Sequence, residues 1–555
     1  ATFGQFGGDL LVGNFSYAAP EINAFNPVTG AYAGTLTNSS GNKLLGDGQG
    51  IWDMSFGNGG NGGLPNTLYV ATGLNTENDG LFVAITPAPG IAEGGAVANV
   101  AGGTLDVSHS TFTDNQARGV FGGDGLGGGI DNESGATLTV ASSAFVHNRA
   151  VGSDSDGGKA GNGLGGALAN SGANTTVSDS GFTDNEAIGG DNAAGGVAGK
   201  GEGGAIANES HATLLVTEST LTHNLARGGQ RSMNAADNGF AYGGGIANRG
   251  TLDVDHSTFH RNQAIGGASS LPGVSGGNGL GGGLMSIGSA SAPASASVRY
   301  STFSDNQAAG GTGGTAATGG TGAGGGIFTD TGTFLLDHSS LRQNQALGGS
   351  GGSGGRGRGG AFAAGSQSGN TVVTISHSTL RTNRAVGGAA GVGGTPGIGS
   401  GGGISNQVNV PGHTTDLTVR DSRLLDNLAL GGSGDTGGTG RGGGIENVAG
   451  ATLTVLDSLL IRNAATGGVG GLGGNGGNGL GGGIFNDATS SLTLQHSRIV
   501  HNDALGGAAG SGGSAGQGVG GGVYIVPGGT VTAHKTTIKH NHASTSDDNV
   551  FGNLG

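Results

Sequence analysis

Apolar residues alternate with polar ones in short runs along this chain, and the runs themselves recur. Leu252 and Val254 flank Asp253, and Leu138 with Val140 and Leu453 with Val455 repeat that spacing, which is the period of a strand; no stretch carries helical periodicity. Gly243 to Ala264, GGGIANRGTLDVDHSTFHRNQA, holds the whole unit: Gly-Gly-x-Ile/Val/Leu-x-Asn, a short turn, Leu-x-Val-x-x-Ser, then Phe/Leu/Ile-x-x-Asn-x-Ala. The most regular column is Asn115, Asn148, Asn185, Asn224, Asn262, Asn306, Asn344, Asn383, Asn427, Asn463, Asn502 and Asn541. An Ala stands two residues after each, from Ala117 to Ala543, and a Ser five before each from Ser110 to Ser497, with Thr536 in the last copy. Three before each Asn is Phe, Leu or Ile, as in Phe112, Leu221, Phe303, Leu341 and Ile538.

A unit of about 33 to 44 residues with one apolar face must stack on its neighbours to bury that face, which is the logic of a solenoid. Strand spacing makes it all-β: a parallel β-helix of about 12 coils over residues 91–555, each coil three short strands and roughly 22 to 24 residues, the rest of each period being inserted. At about 4.8 Å per coil the rod is on the order of 58 Å long. The Asn column is expected at a turn, with side chains hydrogen-bonded up the stack. A second column (Asn132, Asn170, Asn208, Asn248, Asn406, Asn447 and Asn486) marks another corner.

GGGI-x-N followed by TLTV-x-x-S and F-x-x-N-x-A resembles the right-handed parallel β-helix repeats of the pectate-lyase-like superfamily, especially those of bacterial surface proteins such as polymorphic outer-membrane proteins. The resemblance runs from about Ala92 to the end and implies the fold; the superfamily holds lyases, hydrolases, adhesins and passive scaffolds, so it chooses no function.

Between each Asn-x-Ala and the next Gly-Gly lies a glycine-rich insertion: GGSGGSGGRGRGG after Leu347, GGTGGTAATGGTGAGG after Ala309, GGVGGLGGNGGNGLGG after Thr466. All leave the same corner, so neighbouring loops start about 4.8 Å apart. Gly-Gly-x triplets suit a polyproline-II backbone with two bare glycine edges, which predicts a second layer of stacked glycine helices. Unordered linkers are the competing expectation from composition.

Residues 1–90 lack the unit. Strand-like runs at Asp9 to Phe15, Glu21 to Phe25 and Thr67 to Ala71 are broken by turn signals at Asn26-Pro27 and Thr29-Gly30. FGGDLLVGNFSYAAPEINAFNPVTGAYAGTL and GIWDMSFGNGGNGGLPNTLYVATGLNTENDGLF resemble the C-terminal part of an uncharacterised bacterial family of predicted six-bladed β-propellers. The match covers a blade or two, too little to close a propeller.

Composition narrows the partners. Gly is 133 of 555 residues without a collagen triplet, and Lys+Arg 22 against Asp+Glu 37 gives −15. A weakly charged acidic surface argues against nucleic acid and anionic membrane. Zero cysteines excludes disulfides and thiolate metal sites. No apolar run spans a membrane, and Ala1 reads as a processing point or a boundary.

Candidate chemistry is sparse. The outward column before the Ser runs His109, Ser142, Asp179, Glu218, His256, Tyr300, His338, His377, Asp421, Asp457, His496 and Lys535. Asp179 over Glu218 and Asp421 over Asp457 stack like charges that could raise a pKa or hold Ca²⁺, and solvated turn residues account for them equally. Histidines a whole coil apart make poor tetrahedral zinc sites, and His540 with His542 is the remaining metal candidate. Thr137/Thr139 and Thr452/Thr454 suggest an ice-binding array, interrupted by Asp106, Asp253 and Leu215. The sequence therefore assigns no catalytic, cofactor-binding or metal-binding residue. It points to an extracellular or cell-surface structural protein, bacterial by resemblance, that associates with itself head to tail; a carbohydrate-active enzyme, glycan-binding module or adhesin, with polysaccharide as partner, is the alternative.

Overall fold

A computed structural model describes residues 10–14, 20–38, 42–45, 50–56, 68–74, 79–85, 90–155, 158–192, 196–230 and 239–554. The chain forms two compact units, Ala1–Gly90 and Ile91–Gly555.

The first unit holds two antiparallel meanders, β1 (Leu10–Gly13), β2 (Ile22–Phe25) and β3 (Tyr32–Thr35), then β4 (Ile51–Phe56), β5 (Leu68–Leu74) and β6 (Asp79–Ile85). The predicted run from Asp9 to Phe15 is ordered as β1, and its two end residues lie outside the described part. The turn at Asn26-Pro27 is fixed by the Asn26 Oδ1, which accepts the Val28 and Thr29 amides at 2.9 Å each. Ile22, Ala24, Leu36, Leu45, Ile51, Leu68 and Val70 form one small core.

The second unit is an all-β parallel solenoid. Its five sheets contain 12, 13, 12, 12 and 12 strands in the order they are met along a coil, every neighbour being the equivalent strand of the next coil. The coil around the repeat quoted above shows the parts: Ala241–Tyr242, Ile246–Asn248, Thr251–Asp255, Thr258–His260 and Gln263–Ile265. Five strands replace the three expected, because left-handed residues cut the chain at fixed places. Gly243 (φ 59°), His256 (φ 46°) and Arg261 (φ 53°) turn this coil, and equivalent residues turn every other. A Cβ at Gly243 would overlap the Ile246 carbonyl, so glycine is required there. At the other two corners His, Asp, Arg and similar residues bear the cost of positive φ and the side chain points outward.

Register follows from the sequence columns. Leu252, Val254 and Phe259 point inward with Ile246 and are buried, and the same positions in all coils make one continuous core. Phe112, Phe145 and Phe182 stack at centroid distances of 4.7 and 4.8 Å, the coil spacing itself. Both Asn columns are ladders. Asn262 donates from Nδ2 to Asn306 Oδ1 at 3.0 Å and to the Leu221 carbonyl at 2.9 Å, and its backbone amide donates to the same Oδ1. In the second ladder Asn208 Nδ2 donates to Asn248 Oδ1 at 2.7 Å; Ser286 takes the next rung, and the run resumes at Asn406.

Within the described residues, the glycine-rich insertions are hydrogen-bonded to one another. The amides of Gly473, Gly476 and Gly479 donate to the carbonyls of Ser511, Ser514 and Gln517 in the next loop at 2.9, 3.0 and 2.8 Å. That three-residue period belongs to a threefold backbone of polyproline-II type and not to a strand. A second set of bonds alternates between the outgoing and returning arms: Gly311 to Gly277, Gly320 to Gly311, Gly349 to Gly320, Gly355 to Gly349, each 2.8 Å, and so on to Gly516. Satisfied amides remove the reason for such loops to stay loose.

The C-terminal residues add one strand outside the repeat unit. Val550–Phe551 pairs with Val523–Ile525 as a thirteenth strand, and Asn549 Oδ1 accepts from Asn541 Nδ2 at 3.2 Å, extending the ladder. Asp547, Asp548 and Asn549 occupy the places of the three glycines, with Asp547 at φ 61°.

Candidate functional site

Two lines of side chains leave the solenoid wall and carry what chemistry it has. The first is the exposed corner of left-handed residues from His109 to Lys535. Its backbone is pinned coil after coil, so side chains meet their counterparts above and below. His256, Tyr300, His338 and His377 form a run of rings with centroid distances of 4.9, 5.1 and 4.5 Å. Asp337 Oδ2 faces His338 Nδ1 at 2.9 Å and its Oδ1 faces His377 Nδ1 at 3.1 Å. Burial pushes the Asp337 carboxyl up, but the Ser376 hydroxyl and the two imidazoles outweigh it and hold the group well below the usual carboxylate range. These three residues offer ligand atoms within 4.8 Å of one another. The His338 and His377 rings are nearly parallel (13°), so they could share one ion only after turning.

None of the carboxylates expected to pair in this column belongs to a group of three ligand-bearing residues among the described residues. Asp179 accepts from Ser142 Oγ at 3.0 Å. Asp421 faces His377 at 3.8 Å and Arg420 at 3.7 Å, while Asp457 faces His496 at 3.7 Å. His540 stacks on His501 (5.5 Å) and His542 faces Asp548 (3.7 Å), so the flanking histidines diverge.

The second line follows the glycine corner and was not legible as a site in the repeat. Glu93, Leu126, Glu202, Tyr242, Arg358 and Arg441 stand in register on the two-residue strands before that corner. After it, the residue between the core Ile and the ladder Asn points away from the core: Asp131, Ala247, Met285, Phe328, Glu446 and Phe485 among them. Although outward-facing, Asp131 and Glu446 are fully buried. Side chains along this line pack on one another: Arg249 lies 5.3 Å over the Tyr242 ring and Arg441 lies 5.2 Å over Phe485.

Along the axis this covered stripe changes character. At its N-terminal end Glu93, Asp131 and Glu133 bring three carboxylates within 4.8 Å of one another. Next, Arg249 Nη2 holds Glu202 at 2.7 Å, with Glu209 3.7 Å from its Nε. Burial and the Glu202 charge push the Glu209 carboxyl up to about 7. The middle is apolar, built by Tyr242, Ala247, Met285, Ala323, Phe328 and Ala363. Beyond it Arg356 Nη2 faces Glu446 Oε1 at 3.5 Å and donates to Ser400 Oγ at 3.2 Å, while Ser405 Oγ donates to Glu446 Oε2 at 3.0 Å. Burial, with Arg356 beside it, pushes the Arg358 guanidinium down to about 10. Its Nε and Nη2, and the Nε of Arg356 and of Arg441, are buried without hydrogen-bond partners among the described residues.

These residues escape the repeat because their columns hold Ala in one coil and Glu or Phe in the next. The readable signal is the anomaly itself: a carboxylate at Asp131 or Glu446 where the pattern elsewhere places Ala or Phe. No family model matches the chain, and no curated protein matches it.

Proposed function

We propose that this chain is an extracellular structural protein of the bacterial surface-repeat kind, which associates head to tail into a fibre. The observation that carries this reading is the state of the two ends of the stack. Val97, Leu105 and Phe112 in the first coil and Ala533, Ile538 and Val550 at the last are only partly buried, whereas their equivalents in between are closed off. Among the described residues of the solenoid, the strands of the first coil pair on one side only, and such an edge presents amides and carbonyls in the repeat's own register, a template for a second copy. An end-to-end contact of unlike surfaces does not close on itself and yields a filament. This reading assigns no catalysis to the chain. Sedimentation velocity and electron microscopy across a concentration series test it: growing rods are expected, and a strictly monomeric species at the highest concentration overturns it. Phe112→Lys, which puts a charge on the end face, is expected to shorten or abolish the rods without unfolding the solenoid.

A glycan-binding or carbohydrate-active module is the second reading, favoured by the unpaired Nε donors of Arg356, Arg358 and Arg441 on the same stripe as the Glu446 carboxylate. Such a mixture of donors and acceptors matches hydroxyl- and carboxylate-bearing sugars. Retention on acidic polysaccharide, lost in Arg356→Met, would favour it over the fibre.

A further inference from the structure

The covered stripe contains three groups of ionisable side chains built in the same frame, and two of them include a countercharge. Glu202 and Glu209 have Arg249, at 2.7 and 3.7 Å. Glu446 has Arg356, at 3.5 Å. The third group, Glu93 of the first coil with Asp131 and Glu133 of the second, has none: the charged neighbours that act on Asp131 are Glu133 and Glu93, both acidic. Asp131 is the decisive member. It is 0% exposed, neither of its carboxylate oxygens has a well-formed hydrogen bond among the described residues, and the adjacent Asn132 amide is the one group that favours its charge. Burying an ionised carboxylate without a partner costs several kcal/mol, and two more carboxylates alongside add repulsion.

We propose that Glu93, Asp131 and Glu133 form a binding site for a hard divalent cation, Ca²⁺, that ties the first coil of the solenoid to the second. The donors are oxygens only, which excludes soft-metal chemistry. Three carboxylates bring up to six oxygens, and exposed Glu93 with half-buried Glu133 leaves one side open for water to complete the shell. Ca²⁺ takes such irregular sets of six to eight oxygens, whereas Mg²⁺ demands near-octahedral geometry and gives up water reluctantly. Asp131 lies deep in the stripe and Glu93 at its rim, so an ion entering from solution meets the rim first. Its two positive charges replace what Arg249 supplies three coils further on. The consequence is positional: the site joins the first two coils, and the first pairs with another coil on one side only among the described residues. This inference does not rest on fibre formation.

The test uses the full chain, stripped with EDTA, dialysed, and kept dilute enough to be monomeric by size-exclusion, so that failure of assembly does not bear on it. Titration calorimetry with CaCl₂ is expected to show one site per chain, and thermal unfolding a saturable rise in Tm with Ca²⁺ and a much smaller one with MgCl₂ at equal concentration. Asp131→Asn is expected to abolish the Ca²⁺ response while keeping or raising the Tm in EDTA, since it removes the unbalanced charge. Glu93→Gln, at an exposed position that does not threaten folding, is expected to weaken Ca²⁺ binding ~10-fold. Asp179→Asn, outside the cluster, leaves the response intact. Absence of binding heat and of any Tm rise overturns the proposal, as does a Ca²⁺ response unchanged in Asp131→Asn and Glu93→Gln.

Discussion

The Asn306 side chain accepts two hydrogen bonds from Asn262 and gives two more, to Asn344 and to the Phe259 carbonyl, all in the dry wall of the solenoid. Asn306→Ala would leave the backbone and side-chain donors of Asn262 and one carbonyl unpaired, at a cost of about 2–5 kcal/mol. Asn115 begins the ladder and only donates onward, so Asn115→Ala orphans no donor behind it and should cost about 1 kcal/mol. Denaturant unfolding of the two variants checks this difference. Glu209 offers a pH test at the same scale. Its carboxyl sits near 7 in the folded protein against an ordinary 4.5, so the folded state holds a proton that the unfolded state has lost between those values. That contribution to stability is complete below pH 4.5 and disappears as pH rises through 7. Glu209→Gln should therefore raise stability by about 2 kcal/mol at pH 8 and change little at pH 4, read as Tm against pH.

The glycine loops show how an element can be rigid without a core. A Cβ on Gly320 would overlap the Gly277 carbonyl of the loop below, whereas one on Gly391 would meet the Gly351 oxygen at 3.5 Å, an ordinary contact. Gly320→Ala should cost about 1–3 kcal/mol and Gly391→Ala almost nothing, and amide exchange in residues 310–321 should accelerate only in the first. The legible part of this molecule is what recurs. Asn, Ser, Ala and Leu-x-Val columns announced the coils, their number and their register, and Gly-Gly-x spacing announced the threefold loops. Where chain identity stops recurring, the sequence falls silent for a physical reason. The five-strand coil depends on positive φ at residues as different as His256, Tyr300 and Lys535, which no propensity identifies. The thirteenth strand hides behind Asp547-Asp548-Asn549, acidic stand-ins for glycine. Asp131 and Glu446 are buried at outward-facing positions, and no spacing within a single unit marks that burial.

For the whole solenoid, insertions of different length leave the hydrogen-bond frame untouched. Successive ladder asparagines lie 33 residues apart at Asn115 and Asn148 and 44 apart at Asn262 and Asn306, yet each pair makes the same bonds. Axial size is thus a tally of copies and indifferent to the bulk each copy carries at its flank. Excising residues 458–496, one period of 39, would bring Asp457 directly onto Ser497 in matching frame. The product should fold cooperatively with strand signal intact and be shorter by one step of about 4.8 Å in solution scattering. Lineages carrying such a scaffold could lengthen or trim it by unequal recombination between neighbouring copies, each event yielding a usable rod at once.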